Sequence, residues 1–203
     1  MTIKTRVMLL KIIIHLAAFF PLFNLYFLAF TDGLGADPVE AVIHFTGIGA
    51  FNLLLITLSV SPLAKLIKKG YLLQTRRLLG LYAFSYAVCH LFNFIAFDIQ
   101  FSGALFLNEV IERPYITIGM LAFLLLTALA VTSLNKLRRK MGKAWQKLHN
   151  VSYVIAILVV IHFYWSVKSE LTSPLLYALL TLILLLFRYK KLKGMISTLF
   201  VKN

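Results

Sequence analysis

Acidic residues, cysteine and proline are all scarce in this chain. It carries seven Asp and Glu against 21 Lys and Arg, one cysteine and five prolines in 203 residues. A single cysteine, Cys89, excludes an intrachain disulfide, a thiolate zinc cluster and a Cys-x-x-Cys-His haem attachment. Charged residues amount to 14%, too few to clothe a water-soluble fold of this length. What is abundant is apolar. Hydrophobic residues make up 61% of the chain, and the mean hydropathy is +0.88. Secreted and cytosolic globular folds are thereby excluded, and so is disorder, which needs low hydrophobicity. The net charge of +14 points to membrane orientation, because in so apolar a chain Lys and Arg fix topology. Lipid is the expected surroundings, and no nucleic-acid partner is expected.

A bilayer demands about 20 apolar residues per helix. Six stretches approach this, roughly 12–30, 43–64, 78–98, 115–134, 149–167 and 174–189, the last being the shortest. The expected fold class is all-α, a polytopic membrane protein with a six-helix transmembrane bundle as a single domain over residues 1–203. No internal repeat is evident. The first stretch follows Lys4, Arg6 and Lys11 as a signal peptide would, but lacks a convincing small-residue cleavage site, so it reads as a retained helix.

Charge placement orients the bundle. With the N-terminus in the cytoplasm, every basic residue except Arg113 and Lys168 falls on the cytoplasmic side, and all seven acids fall on or near the other. The positive-inside rule therefore gives N-in and C-in. Pro38, Pro114 and Pro174 sit at span starts and Pro62 near a span end, where a missing N–H costs little. Pro21 lies inside the first span and should free a carbonyl one turn earlier. A kink packed against neighbours and a shaped wall beside a cofactor both fit it.

The span interiors hold no central Asp, Glu or Lys, which argues against a carboxylate-based ion path. They hold histidine instead. His15, His44, His90, His149 and His162 all lie in or at the edge of spans. Neutral imidazole binds iron well, so five histidines with few other ionisable neighbours fit metal or haem ligation. His90 lies 12 residues beyond Leu78 and His162 lies 13 beyond His149. At 1.5 Å per residue both sit about 18–20 Å from the cytoplasmic edge, on spans running in the same direction. Two imidazoles at one depth can clamp one porphyrin in the outer half of the membrane. On a continuous helix His149 and His162 would differ by about 220° in direction. A step of 14 residues back from His90 returns to nearly the same helix face and lands on Arg76, so a second symmetric bis-histidine pair is not expected. His149, Arg76 and Arg77 instead suit an inner site for a quinol, a flavin phosphate or haem propionates, and interfacial anchoring of the arginines is the alternative. His15 near the inner edge and His44 near the outer edge are left open between ligand, hydrogen-bond and interface roles.

Three stretches carry a resemblance. They are His44-Phe-Thr-Gly continuing to Ser61-Pro62-Leu63, Thr75-Arg76-Arg77-Leu-Leu-Gly80 continuing to Cys89-His90-Leu91, and Gly142-Lys-Ala-Trp145-Gln-Lys-Leu-His149-Asn followed by Ile161-His162-Phe163. Arg113-Pro114-Tyr115 and Arg188-Tyr189-Lys190-Lys191 fit as well. Together they resemble the haem-binding membrane subunits of bacterial periplasmic methionine sulfoxide reductase systems (the MsrQ/YedZ type), which belong with ferric-reductase-like transmembrane domains. The resemblance covers nearly the whole chain. It implies a b-type cytochrome of the bacterial inner membrane, passing electrons from the quinone pool to a periplasmic molybdopterin-containing subunit that repairs oxidised methionine. It implies haem b and FMN as cofactors, His90 and His162 as haem ligands and His149 as a further ligand candidate. No Gly-x-Gly-x-x-Gly follows a strand, so electrons are expected from quinol or a separate cytosolic flavin reductase. The chain itself is expected to lack a catalytic site for methionine sulfoxide. The rival readings are a ferric or superoxide-type reductase with a small acceptor, and a haem-free transporter or assembly factor.

Overall fold

The computed structural model describes residues 1–167 and 170–189. Lys168, Lys190, Lys191, Lys193 and Lys202, which the charge argument uses, lie outside the described residues. Among the described residues every regular element is helical: α1 (Ile3–Phe30), α2 (Pro38–Leu66), α3 (Arg76–Asn93), α4 (Gly103–Glu112), α5 (Pro114–Thr132), α6 (Asn135–Met141), α7 (Lys143–His149), α8 (Ser152–Ser166) and α9 (Thr172–Leu186). A 3₁₀ turn over Gly70–Thr75 leads into α3, and a π turn over Phe94–Asp98 extends it. Hydrocarbon offers no water to backbone N–H and C=O groups, so helices that bond internally are the natural outcome of such a composition. The chain is a polytopic all-α membrane protein. Five helical stretches are long and apolar enough to cross a bilayer: Ile3–Phe30, Pro38–Leu66, Gly70–Asp98, Pro114–Thr132 and Lys143–Ser166. The sixth expected span is the shorter apolar helix α9, 15 residues long.

Helix starts follow local chemistry. The Thr2 hydroxyl caps α1 by accepting from the Thr5 amide, and Asp37 caps α2 by accepting from the Glu40 amide ahead of Pro38. Pro114 opens α5. The first helix thus begins well before residue 12. Lys4, Arg6 and Lys11 extend it as helix formers whose long stems reach polar surroundings.

Two departures from the sequence reading bear on function. The stretch between the third and fourth spans holds α4, capped by Ser102 and tied to α5 by an ion pair of Glu109 with Arg113 at 2.8 Å. Its ten residues are too few to register in a search for bilayer-length runs. The fifth span is not one continuous helix from His149. The helix α7 ends at His149, and α8 starts at Ser152. The rotation computed between His149 and His162 on an unbroken helix therefore does not apply.

Contacts between named residues fix helix directions. Ile43 meets His90, Gly49 meets Tyr86 and Gly80 meets Thr57, so α2 and α3 run antiparallel. Tyr115 meets His162 and Thr132 meets His149, so α5 and α8 with α7 do the same. His15 meets Tyr82, Ala18 meets Tyr86 and Tyr26 meets Asn93, so α1 runs parallel to α3. Lys4, Arg6, Arg76 and Arg77 therefore share one end of the bundle, called here the basic end. The core lies where the two antiparallel pairs meet. Leu54 and Leu58 of α2, Ala83 of α3, Ala122, Leu126 and Leu129 of α5 and Ile155 and Ala156 of α8 form one buried cluster. Ala83 and Ala156 are fully buried, as expected where lipid supplies no hydrophobic drive and small residues allow helices to approach closely. Large apolar side chains such as Phe19, Phe20, Phe23 and Phe27 of α1 point outward.

Pro21 sits within a continuous α1. The carbonyl of Ala18, close to the proline, accepts a hydrogen bond from the Tyr86 hydroxyl at 2.6 Å. Gly49 makes room for this crossing, since a Cβ there would lie 2.4 Å from the Tyr86 ring. The backbone beside Pro21 is thus packed against a neighbouring helix. One turn beyond His90, Asn93 is fully buried. Its amide donates to the Val42 carbonyl and the Thr46 hydroxyl, both at 3.3 Å, and its carbonyl accepts from the Tyr26 hydroxyl at 3.0 Å. Each partner left unpaired in an apolar setting costs about 1–3 kcal/mol. Asn93→Leu is therefore expected to destabilise the detergent-solubilised protein by about 2 kcal/mol, and combining it with Tyr26→Phe should add much less than Tyr26→Phe costs alone. Thermal unfolding of the four proteins of that double-mutant cycle checks this, and strict additivity would contradict a shared network.

Candidate functional site

The structure brings His90 and His162 together. One imidazole comes from α3 and the other from α8, with ring centroids 6.2 Å apart and planes crossing at 82°. His90 Nδ1 lies 2.9 Å from the Ile43 carbonyl oxygen, and His162 Nδ1 lies 2.7 Å from the Tyr115 carbonyl oxygen. A carbonyl can only accept, so in both rings Nδ1 carries the hydrogen. In a neutral imidazole Nε2 then keeps its lone pair, which is the tautomer a metal ion needs. Metal–imidazole bonds of about 2.0 Å on opposite sides of one ion would put the ring centroids about 6.3 Å apart. The observed separation matches that. Two glycines make the arrangement possible. A Cβ at Gly47 would lie 3.0 Å from His90 Nδ1, and one at Gly119 would lie 2.7 Å from His162 Nδ1.

Among the described residues no group of three or more His, Cys, Asp or Glu could hold a bare metal ion. A pair of imidazoles alone suits an ion whose remaining ligands come with it, as in a porphyrin.

The other expected residues gather at the basic end. The His149 ring stacks on Trp145 with centroids 3.9 Å apart, and His149 Nε2 lies 3.3 Å from the Thr132 hydroxyl. Trp145 donates its indole N–H to the Thr132 carbonyl at 2.9 Å, and the Arg138 guanidinium lies 4.8 Å from the centre of the Trp145 ring. Arg77 donates to Asn135 at 2.7 Å. Arg76 Nε and Arg188 Nε are both buried, and neither has a hydrogen-bond partner among the described residues. Guanidinium N–H groups withdrawn from water without an acceptor are costly, which marks a place suited to an oxyanion. Asn135, Arg138, Arg139 and Gly142 line a shallow open groove at the same end.

His44 borders the imidazole pair, directly after Ile43 and close to His90, whereas His15 stands apart. His44 is exposed near the start of α2, with its ring 6.5 Å from that of Phe163. His15 is exposed on α1 and pairs through Nδ1 with the Tyr82 hydroxyl at 2.6 Å. Composition and span-finding give no weight to Gly47, Gly119 or Arg188. The two glycines carry one signal in the sequence, an equal spacing from the histidine each one faces.

These features define a polytopic helical membrane protein with paired imidazoles held between its helices and a cationic cluster at one end. Residues 45–160 match the family described as ferric reductase like transmembrane component. The chain is 46% identical over 185 residues to the protein-methionine-sulfoxide reductase heme-binding subunit MsrQ of Cronobacter sakazakii, covering 91% of this chain and 92% of that one. It is 48% identical over 185 residues to the MsrQ subunit of Pectobacterium carotovorum, covering 91% and 93%. It is 46% identical over 194 residues to that of Salmonella newport, covering 95% and 97%. The chain belongs to the MsrQ family of heme-binding subunits, within the ferric-reductase-like transmembrane proteins.

Proposed function

We propose that this chain is a b-type cytochrome subunit of the bacterial inner membrane. It carries electrons from the quinone pool to a periplasmic, molybdopterin-containing methionine sulfoxide reductase subunit. The observation that supports this most is the His90–His162 pair, with both Nδ1–H groups engaged by carbonyls and both Nε2 lone pairs left for a metal. A haem b held there supplies one-electron redox chemistry. His90 and His162 fix its position, and Leu, Phe and Ala side chains of the bundle exclude water around it. The basic end faces the cytoplasm, so N-in and C-in hold, and six spans result if α9 crosses. The site then lies in the outer half, near the periplasmic acceptor.

At the basic end, Arg76, Arg77 and His149 receive the electron donor or the anionic groups beside it. The buried and unpaired Nε atoms of Arg76 and Arg188 favour an anionic occupant there, such as a haem propionate or the phosphate of FMN. Quinol, or a cytosolic flavin reductase, delivers electrons at this level. The family described as ferric reductase like keeps a second reading open, direct reduction of a small acceptor at the outer face. Adding the purified periplasmic subunit to the reduced membrane protein separates the two.

His90→Ala and His162→Ala are each expected to lower haem per protein at least tenfold, read from the reduced-minus-oxidised spectrum. His44→Ala is expected to leave it unchanged. A full low-spin spectrum in either of the first two variants would overturn the pairing.

Arg76 lies about 21 Å from His90 along α3, too far to touch the group those histidines hold. Arg76→Leu is therefore expected to slow reduction by a soluble quinol at least tenfold while the outer haem spectrum persists. Arg76→Lys should recover the rate only in part, since an ammonium lacks the planar fork. Stopped-flow reduction normalised to bound haem reads this out. Unchanged rates in Arg76→Leu, Arg77→Leu and His149→Ala would place electron input elsewhere.

A further inference from the structure

The two halves of the imidazole pair are the same construction made twice. His90 bonds the carbonyl of Ile43, and His162 bonds the carbonyl of Tyr115, each across 47 residues. Gly47 presses on the first ring and Gly119 on the second, and each glycine lies one helical turn after the carbonyl that its histidine bonds. Ile43 and Tyr115, Gly47 and Gly119, and His90 and His162 are each 72 positions apart. At that same offset, without a gap, Glu40 recurs as Glu112, Phe51 as Phe123, Ser61 as Ser133, Gly70 as Gly142 and Gln74 as Gln146. The helices fall into the same relation, since α2 pairs antiparallel with α3 as α5 does with α8. An internal repeat thus exists where the sequence alone shows none plainly. Lipid-facing positions tolerate any apolar residue, and their drift hides the few positions that geometry fixes. The offset also pairs His149 with Arg77, not with Arg76.

We propose that Gly47 and Gly119, with the carbonyls one turn before them, are positioning residues of a duplicated ligand-holding unit. Each glycine lets a helix backbone close on an imidazole, so that its carbonyl takes the Nδ1–H and leaves Nε2 aimed at the metal. This rests on the haem-ligand reading above. A carbonyl that accepts the Nδ1–H makes the ring a stronger donor, which favours the oxidised iron. A methyl group at either glycine pushes the ring from its carbonyl and should act in the opposite direction. The effect is graded by distance. A Cβ at Gly119 would meet the ring at 2.7 Å and one at Gly47 at 3.0 Å, so the first is the harsher change.

The test uses the full chain, purified in detergent and scored for monodispersity, haem per protein, the reduced α band and the midpoint potential. Gly119→Ala is expected to lose haem at least fivefold. Gly47→Ala is expected to retain most haem with a higher midpoint potential and an altered α band. Gly80→Ala serves as the control, because its Cβ would meet nothing nearer than Thr57 at 3.8 Å. It should match the unsubstituted protein in every measure. A merely structural role for Gly47 would lower thermal stability and leave the potential of the bound haem unmoved. Should Gly119→Ala fail to accumulate, Gly47→Ala decides alone. The proposal is overturned if Gly47→Ala keeps the original haem content, potential and α band while His90→Ala and His162→Ala lose haem. If the histidine variants keep their haem, the ligand reading fails first and takes this proposal with it.

Discussion

An imidazole N–H inside a hydrocarbon layer has no water to bond, and a helix that could accept it has already used its carbonyls. A second acceptor bond to such a carbonyl requires the ring to lie against the backbone of a neighbouring helix, which a side chain at that point forbids. Gly47 and Gly119 remove the obstacle on α2 and α5. From that close approach come the tautomer and the 6.2 Å separation of the rings. The same logic governs other crossings in the bundle. Gly49 lets the Tyr86 ring past so that its hydroxyl reaches the Ala18 carbonyl, and Asn93 is tolerated at full burial because Tyr26, Thr46 and Val42 satisfy its amide. Polar groups in lipid persist where every partner is supplied from within.

The two ends of the bundle answer different electrostatic demands. Around His90 and His162 the surroundings are apolar and the side-chain partners nearly all neutral, so a charge arriving there is stabilised only by what arrives with it. At the basic end Arg76 and Arg138 lie near His149, and Arg188 lies near Arg76. That grouping is unfavourable in isolation, since like charges repel and two buried Nε atoms find no acceptor among the described residues. Each cost falls when an anion is present.

Much of this was legible in the sequence, and for definite reasons. Bilayer-length apolar runs and the placement of Lys and Arg are strong signals, because the bilayer punishes departures from them. They gave the helical class and the five bilayer-length stretches, with α9 the shorter sixth apolar helix. The shared depth of His90 and His162 followed from counting residues along parallel spans, and their contact agrees with that count. The short helices α4, α6 and α7 escaped because their length lies below any bilayer threshold. The break between α7 and α8 escaped because Asn150 and Val151 carry no proline or glycine to mark it. Angular arguments from His149 depend on helix continuity and failed there, whereas rise-based arguments survived, since a turn between two helices alters direction more than it alters progress along the bundle.

The tandem repeat explains why rise-based counting worked. The unit α2–α3 is a hairpin, so it begins and ends on the same side of the bundle. A second copy can follow only if its connection stays on that side, and α4, ten residues long, lies in that connection. The second hairpin then runs in the same sense as the first, and corresponding residues reach equal depth without further adjustment. Copies packed face to face present their histidines toward each other across the shared interface, where Ala83, Ala122 and Ala156 keep the helices close. A single unit offers one imidazole and cannot clamp an ion from both sides. Two parallel units bring two imidazoles to a centroid separation of 6.2 Å. The same register pairs Arg77 with His149 at the basic end, so the repeat keeps its histidine toward one end and departs from it at the other. The symmetric half of the protein is fixed by the close approach of glycine backbone to imidazole, and the asymmetric half carries the cationic cluster.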